Sequence, residues 1–473
     1  MNHGSTLIVC FDGLRRDRTT PDRMPNLHRF MAEGVDMVNS RSVFPSETRV
    51  AVSSVVTGSS PGSHGLVANQ FFHREVAGDA LFRTARHQDL QRADARGVLI
   101  DRESLGERLA RAGRRYAVVS TASPGATWMM NHRAATLGQP VFSVYSGVGS
   151  DAIADSASAR FGPVPEAATP NTPRIDYACR VLTELIYPDY RPDLALLWFS
   201  DPDITAHGFG VDAVQTVAAQ RGCDDAFARL LSWWRRGDGP QNILVMSDHG
   251  QITGERQIDL ASALPGHEGE LAPGYFSSLH LRDAGPAAIA SSVEMLAQQP
   301  FIGLIFATIP GDPAASVPGA LPASLLGGGH PRAAPVSFTL KATAGAGGME
   351  SCLFTSGIKP GGGMHGGLAR RELSTVLAAF GPAFRAKSRS PIPCWLPDLA
   401  PTLLTVLGLS SEGMDGRVLA ETLAGDAGGP PDVSRRALQA TIGTHSQGVE
   451  QWLVDGKAIT DFGWSATADE TPT

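Results

Sequence analysis

An α/β fold, with a doubly wound, mostly parallel central sheet flanked by helices and a smaller inserted cap domain, is predicted by three features of the sequence. Three apolar runs of strand length end close to aspartates, helical periodicity fills the stretches between them, and the texture changes over about 265–345. With 473 residues the chain exceeds one simple core, which favours a large domain carrying an insertion.

The strand candidates are Thr6-Leu7-Ile8-Val9-Cys10-Phe11, Leu194-Ala195-Leu196-Leu197-Trp198-Phe199 and Ile243-Leu244-Val245-Met246. Nearly unbroken apolar runs suit strands covered on both faces, as in a parallel sheet. Asp12 follows the first run, Asp201 and Asp203 the second, and Asp248 the third. Ligands of open α/β sheets bind outside the carboxyl ends of the strands, so these acids are expected to converge there. One aspartate after a strand is usually a turn or a helix cap. Three such ends, two with a histidine close by, weaken that reading.

Helical spacing of apolar residues marks 24–33, 104–112 and 177–185, and its alternation with the strands is the doubly wound pattern. The expected division is a catalytic core over 1–264 and 346–430, an inserted cap over 265–345, and a C-terminal extension over 431–473 of unassigned role. Within the cap, clusters such as Leu325-Leu326-Gly327-Gly328-Gly329 interrupt short strands, and a helix is expected near 287–298. The core is expected to resume at 349–355, with a strongly periodic helix at 396–407.

Composition excludes several function classes. With 42% hydrophobic and 18% charged residues and a net charge of -7, the chain resembles neither a disordered segment nor a polyanion binder, so no bulk nucleic-acid partner is expected. The first six residues lack a basic region, and the apolar run ending at Phe11 is too short for a signal peptide or a membrane span. The expectation is a cytoplasmic protein with no membrane partner; a homo-oligomer is left open. Cys10, Cys179, Cys223, Cys352 and Cys394 are scattered and odd in number, which predicts buried free thiols.

The chemistry concentrates in a few places. Asp203 and His207 are four apart, on one face if that stretch begins a helix, and Asp248-His249 is an adjacent pair at a strand end. Carboxylate with imidazole suits zinc. Either pair alone is more readily a hydrogen-bonded structural element, whereas two pairs at neighbouring strand ends reverse that preference in favour of a metal. His365 stands in Gly361-Gly362-Gly363-Met364-His365-Gly366-Gly367, where glycines allow close approach to a site; in isolation this is a flexible loop bearing an exposed histidine. His64 is read as structural. Thr48, in Phe44-Pro45-Ser46-Glu47-Thr48-Arg49-Val50, precedes an apolar stretch ending at Val56-Thr57-Gly58. At the start of a helix its hydroxyl would lie where the dipole favours an anion. It is then either an N-cap or, beside a metal that lowers its pKa, a nucleophile.

Together these residues resemble the alkaline phosphatase superfamily, specifically its nucleotide pyrophosphatase/phosphodiesterase branch. The resemblance runs through Leu7 to Leu14, Met24-Pro25-Asn26-Leu27, Pro45-Ser46-Glu47-Thr48, His64-Gly65-Leu66-Val67-Ala68-Asn69, Asp201-Pro202-Asp203 with His207-Gly208, Ser247-Asp248-His249-Gly250, Gly363-Met364-His365-Gly366, Gly381-Pro382-Ala383-Phe384 and Asp398-Leu399-Ala400-Pro401-Thr402-Leu403-Leu404. It implies an alkaline phosphatase-like fold and two divalent metal ions, zinc foremost. One ion would be held by Asp12, Thr48, Asp248 and His249, the other by Asp203, His207 and His365. It further implies that Asn69 binds a non-bridging phosphate oxygen and that Thr48 forms a phosphothreonine during cleavage of a small phosphodiester or pyrophosphate.

The sequence also departs from that branch, where Phe-Pro-Asn-His usually follows the nucleophile; here it is Arg49-Val50-Ala51-Val52. Arg49 is either a phosphate-binding guanidinium or a solvated helix-end charge. Phosphonoacetate hydrolase, a carbon–phosphorus bond hydrolase, is the alternative, because Pro45-Ser46-Glu47-Thr48 and Asn69-Gln70-Phe71-Phe72 also resemble its motifs. The lysines that grip its substrate's carboxylate have no counterpart in Val119-Ser120-Thr121-Ala122-Ser123-Pro124, which favours the phosphodiesterase reading. A metal-binding protein that keeps the fold without catalysis is a third reading, disfavoured by the retention of Thr48 and all six ligand candidates.

Overall fold

This computed structural model describes residues 4–267, 270–312, 315–344, 350–425 and 429–467. The three apolar runs are neighbours at the centre of an eight-stranded sheet, where Thr6–Phe11 lies between Leu194–Phe199 and Asn242–Met246, parallel to both. Its side chains divide by alternation: Ile8 and Cys10 enter the apolar core on one face, and Leu7, Val9 and Phe11 the core on the other. Tyr116–Ser120 and Val141–Ser143 extend the sheet in the parallel sense. On the opposite side Leu377–Phe380 runs antiparallel to both its neighbours, Asn242–Met246 and Val35–Met37, and Ser388–Ser390 forms the edge.

Helices cover both faces, which leaves the carboxyl ends of the strands as the place where such a sheet binds ligands. Thr48–Thr57, Leu105–Arg111 and Leu399–Val406 pack into the first core; Pro25–Glu33, Thr172–Val181 and Val214–Arg235 pack into the second. Ser104 and Glu107 form a capping box at the start of Leu105–Arg111, satisfying backbone amides that the first turn leaves without partners. The helix expected at 177–185 begins earlier, at Thr172 with a proline in its first turn, and widens to a π turn over Leu182–Ile186. Proline tolerates the first turn because the amide it lacks has no helical partner there.

A second, five-stranded sheet orders Leu271–Ala272, Phe276–Leu279, Val336–Leu340, Ile302–Ala307 and Leu321–Pro322, with helix Pro286–Ala297 in the same apolar core. A four-stranded sheet joins Ala342–Ala344, Glu350–Phe354, Ile252–Gln257 and Gly363–Met364. The strand expected to resume the core at 349–355 belongs to this sheet: Glu350–Phe354 pairs with Ile252–Gln257, while Cys352 and Phe354 enter the core of the five-stranded region. Met349 lies outside the described residues. A short apolar run does not by itself specify which sheet it joins, and the chain rejoins the central sheet only at Leu377–Phe380.

The C-terminal stretch forms an antiparallel meander of Val433–Ile442, His445–Val454 and Lys457–Thr467. Its buried Asp461 accepts hydrogen bonds from Arg41 and Arg370, and Gln447 bonds to the backbone of Ile305 and Gly319. All five cysteines are free and buried. No helix among the described residues is long and apolar enough to cross a membrane.

Candidate active site

Three adjacent strand ends and two loops supply the site. Asp12 directly follows Thr6–Phe11, and Asp248-His249 follow Asn242–Met246 after one serine. Asp203 opens helix Asp203–Phe209 beyond Leu194–Phe199, which sets His207 one turn further along. At Gly13 φ is +66°, and a Cβ there would stand 2.9 Å from the Asp203 Cβ, so this close approach of the first two strand ends requires glycine.

All six acids and histidines expected as ligands come together. Ligand atoms of Asp12, Asp248 and His249 lie within 4.8 Å of one another, as do those of Asp203, His249 and His365. His207 Nε2 joins the second group at 3.4 Å from Asp203 Oδ1, with His365 Nε2 3.7 Å from the same oxygen. His249 belongs to both groups, and its ring stacks on that of His365 with centroids 3.7 Å apart.

The backbone orients each imidazole. His207 Nδ1 is 2.7 Å from the Gly363 carbonyl, His365 Nδ1 is 2.8 Å from that of Ser46, and His249 Nδ1 is 3.1 Å from that of Gly250. A carbonyl only accepts, so Nδ1 carries the proton in each ring and Nε2 keeps its lone pair toward the carboxylates. A ligating histidine needs this arrangement. Burial, then the neighbouring His249 and His207, push the pKa of His365 well down and keep its ring neutral.

The carboxylates show the complementary pattern. Asp12 Oδ2 accepts the Trp198 indole N–H at 2.8 Å, and Asp248 Oδ1 accepts the Gly13 amide at 3.1 Å. Their other oxygens, Asp12 Oδ1 and Asp248 Oδ2, are buried without a hydrogen-bond partner. Burial above all pushes both acids up, and for Asp12 the charges of Asp248 and Asp203 add to it. Orphaned oxygens beside imidazole lone pairs form a buried set of acceptors without donors, which is costly unless a cation satisfies it. Mixed nitrogen and oxygen ligands suit divalent zinc.

Thr48 is the first residue of helix Thr48–Thr57, and the cap position belongs to Glu47. The threonine hydroxyl is therefore not used as the N-cap; its Oγ1 lies 3.2 Å from His249 Nε2. It faces a cleft of about 540 Å³ lined also by Glu47, Arg49, Asn69, Asp203, His207 and His365. The backbone amide of Asn69 donates to the Glu47 carboxylate, and Asn69 Oδ1 is buried without a partner.

Asp201 does not converge with the other strand-end acids. Its carboxylate accepts from the Asn171 amide and from Thr205, so it fixes the loop that aims Asp203. His64 is structural, its buried Nε2 2.9 Å from Ser54 Oγ. Sequence reasoning missed three supports. Trp198 holds Asp12, and its indole was the one polar group in an apolar strand. Gln251 donates to Asp203 Oδ1 and lies three residues past Asp248. Ser46, two before Thr48, presents its carbonyl to His365 and its hydroxyl to the Gly366 amide.

Residues 6–300 match the family described as type I phosphodiesterase / nucleotide pyrophosphatase. The Xenopus laevis bis(5'-adenosyl)-triphosphatase enpp4 is 24% identical over 267 residues, 55% of this chain and 51% of that protein. Its human counterpart is 39% identical over 66 residues, 14% of this chain and 15% of that protein. The chain thus spans about half the length of the Xenopus relative and less of the human one. The solved structure of murine ectonucleotide pyrophosphatase / phosphodiesterase 5, an inactive variant in complex with AMP, matches with a TM-score of 0.66 at 18% identity, over 89% of this chain and 100% of that one. At that identity the likeness bears on the fold, which is alkaline phosphatase-like.

Proposed function

Because the chain belongs to the type I phosphodiesterase / nucleotide pyrophosphatase family, we propose that it hydrolyses phosphodiester or pyrophosphate bonds of small molecules, with Thr48 as the nucleophile. Asp12, Thr48, Asp248 and His249 would hold one divalent ion, and Asp203, His207 and His365 a second, with zinc favoured by the donor types. When bound, such ions lower the pKa of a neighbouring hydroxyl and offset charge on a phosphate. The orphaned oxygens of Asp12 and Asp248 support this fit.

The chain's own groups then divide the work. Asn69, which lines the same cleft as Thr48, donates its amide N–H to a non-bridging phosphate oxygen. Thr48 Oγ1 bonds to phosphorus as the bond to the leaving oxygen breaks; that oxygen departs with the electron pair, and the threonine proton passes to solvent. Water then cleaves the phosphothreonine and restores the hydroxyl. The observation that carries this reading is the 3.2 Å approach of Thr48 Oγ1 to His249 Nε2, because His249 is common to both ligand groups.

The test is a panel of a monoester, a diester, a dinucleotide and phosphonoacetate, offered to zinc-loaded wild type and Thr48→Ala. Cleavage of the diester or dinucleotide ahead of phosphonoacetate, lost in the variant, is expected. No turnover of any substrate points to a metal-binding protein without catalysis. Carbon–phosphorus cleavage is the second reading, since Arg49 lines the cleft and offers a positive charge to a carboxylate; preference for phosphonoacetate would promote it. A cytoplasmic location is also proposed, on the support of five unpaired thiols, and cell fractionation tests it.

A further inference from the structure

We infer that the chain forms a two-fold symmetric dimer through the free edge of its C-terminal meander, where strand Val433–Ile442 pairs antiparallel with the same strand of a second copy. This strand of 10 residues is paired on one side, with His445–Val454. The two-residue turn Gly443-Thr444 sets Ile442 directly opposite His445. Residues that flank such a turn exchange both backbone hydrogen bonds. Alternation from there turns the even-numbered residues of the strand toward His445–Val454. The N–H and C=O groups of Val433, Arg435, Ala437, Gln439 and Thr441 point outward. Among the described residues no backbone hydrogen bond from another element reaches these five positions.

The other sheet edges of the molecule are blunted. Among the described residues every other edge strand is two or three residues long, except Lys457–Thr467 on the far side of the meander. That strand bulges at Asp461, and the Leu368 carbonyl accepts its Gly463 amide. Val433–Ile442 has no such protection. Its register is continuous along its whole length, it contains no proline, and its arginines lie back over their own sheet. Arg436 Nη2 donates to Gln451 Oε1 at 2.6 Å, and the Arg435 guanidinium sits 5.3 Å from the centre of the Trp452 ring. Long, regular edges recruit another strand, and natural chains shorten, bulge, charge or cover them. An open edge in a chain that blunts its others is therefore covered in the assembled protein.

The side chains of the strand commit that edge to a second copy. Both its charges, Arg435 and Arg436, lie in its first half, and 437–442 carries none. Antiparallel pairing about Ala437 sets Arg435 opposite the partner's Gln439 and Arg436 opposite the partner's Leu438, so each cationic half meets an uncharged one. The next register, about Arg436, would set that arginine against its own copy, and like charges directly opposite destabilise a sheet. On the face turned toward the body, Leu438 and Ala440 are half-buried at the margin of the core that holds Phe44, Leu304 and Phe306. Pairing continues this apolar face across the two-fold axis. It also uses both free edges at once, so assembly closes at two copies.

Sedimentation equilibrium of the full chain should give twice the mass of one copy, with a dissociation constant that responds to position 439. Gln439→Glu places an opposite charge across from Arg435 at two equivalent points and should tighten the dimer about threefold or more, whereas Gln439→Lys should loosen it by a similar factor. Ala437→Pro removes an outward amide and leaves the ladder to His445–Val454 in place, as an edge strand allows; this variant should be monomeric. Hydrogen exchange should find the amides of Arg435, Ala437 and Gln439 protected in the dimer and released on dilution. A monomer at every concentration overturns the inference. So does a dimer that ignores both substitutions at Gln439 while these amides exchange freely. If Ala437→Pro no longer melts cooperatively, the opposed Gln439 variants and the exchange rates decide. None of these readouts uses turnover, so they stand apart from the phosphohydrolase assignment.

Discussion

The two ligand groups differ in how they are enclosed. Side chains of Asp12, Asp248 and His249 are 6%, 0% and 0% exposed, while those of Asp203, His207 and His365 are 10%, 28% and 8% exposed, with His207 the most open. The first group hangs directly from two neighbouring parallel strands. The second is assembled from a helix and a loop far along the chain, joined where His207 meets the Gly363 carbonyl. That loop approaches closely: a Cβ at Gly363 would lie 2.5 Å from Gln251 Oε1. One half is thus set by the fold of the sheet, and the other by loop closure over it.

Thr48 touches the shared residue of the two halves, so its loss should have the largest effect while leaving the comparison intact. Thr48→Ala is expected to lower turnover by at least about 10²-fold, the scale for removing a nucleophile. Elemental analysis should still find close to two zinc ions, since six other ligands remain. Wild-type rates in the variant would show direct attack by water. The contrast between the halves is tested next by Asp248→Ala and His365→Ala. His365→Ala should release one ion and leave the other with the sheet-borne group. Asp248→Ala should release the buried ion and lower thermal stability as well. Loss of both ions from His365→Ala would mean that the halves are not separable.

Acid should act in opposite senses on the metal-free and metal-loaded protein. Burial raises Asp12 and Asp248 above their ordinary value of 3.8, and it raises Glu47 to about 7 and Glu372 to about 8. Between the ordinary histidine value of 6.5 and about 8 these raised carboxylates give the folded metal-free state more protons than the unfolded chain, so its stability rises as pH falls there. Below 6.5 the buried His64, His280 and His365, held down by burial, bind fewer protons than they do unfolded and oppose that rise. With zinc bound, protons compete for the Asp12 and Asp248 oxygens, and the stability that the ions add falls on acidification. Thermal melts at several pH values, with and without chelator, check the sign. Parallel curves would show that these carboxylates do not hold metal.

The sheet and the strand-end acids were legible because apolar runs and the aspartates after them are local signals, as at Cys10-Phe11-Asp12 and Ser247-Asp248-His249. The misplaced aspartate, Asp201, shares that local pattern with Asp203; which one turns inward depends on Asn171 and Thr205, and only the folded loop shows it. His365 was suggested by flanking glycines, but its anchor, the Ser46 carbonyl, is 319 residues away in sequence. The strand expected at 349–355 forms as Glu350–Phe354, but its place in the four-stranded sheet beside Ile252–Gln257 was not legible, because a short apolar run carries no record of its partner. The environment of Arg49 was illegible for the same reason: that it reaches Thr84 depends on how the hairpin of Gln70–Phe71 and Phe82–Arg83 returns.

The smallest expected effect on turnover comes from behind the loop-built half. Asp461 Oδ1 accepts Arg41 Nε at 3.1 Å and Nη2 at 2.7 Å, and its Oδ2 accepts Arg370 Nη1 at 2.8 Å. Arg41 precedes Ser42, whose hydroxyl reaches the Asp248 carbonyl, and leads into the segment that carries Thr48. Arg370 begins the short helix whose Glu372 holds the amides of Gly367 and Ala369, just beyond His365. One carboxylate on the C-terminal meander therefore braces both the nucleophile segment and the His365 loop. Asp461→Asn keeps the shape and removes the charge, leaving Arg41 enclosed without its partner. Breaking a buried pair costs up to about 3–5 kcal/mol, and the cost here should sit near the lower end because the introduced amide would keep an acceptor oxygen and Arg370 is half exposed. Urea unfolding should show that loss. Turnover should fall less than about tenfold, since the loops are loosened and no reacting group is removed. Zinc should be released more readily from the group of Asp203, His207 and His365 than from the group of Asp12 and Asp248. Equal weakening of both ions would show that the meander supports the sheet-borne half as well, and the contrast between the two halves would then lie in exposure alone.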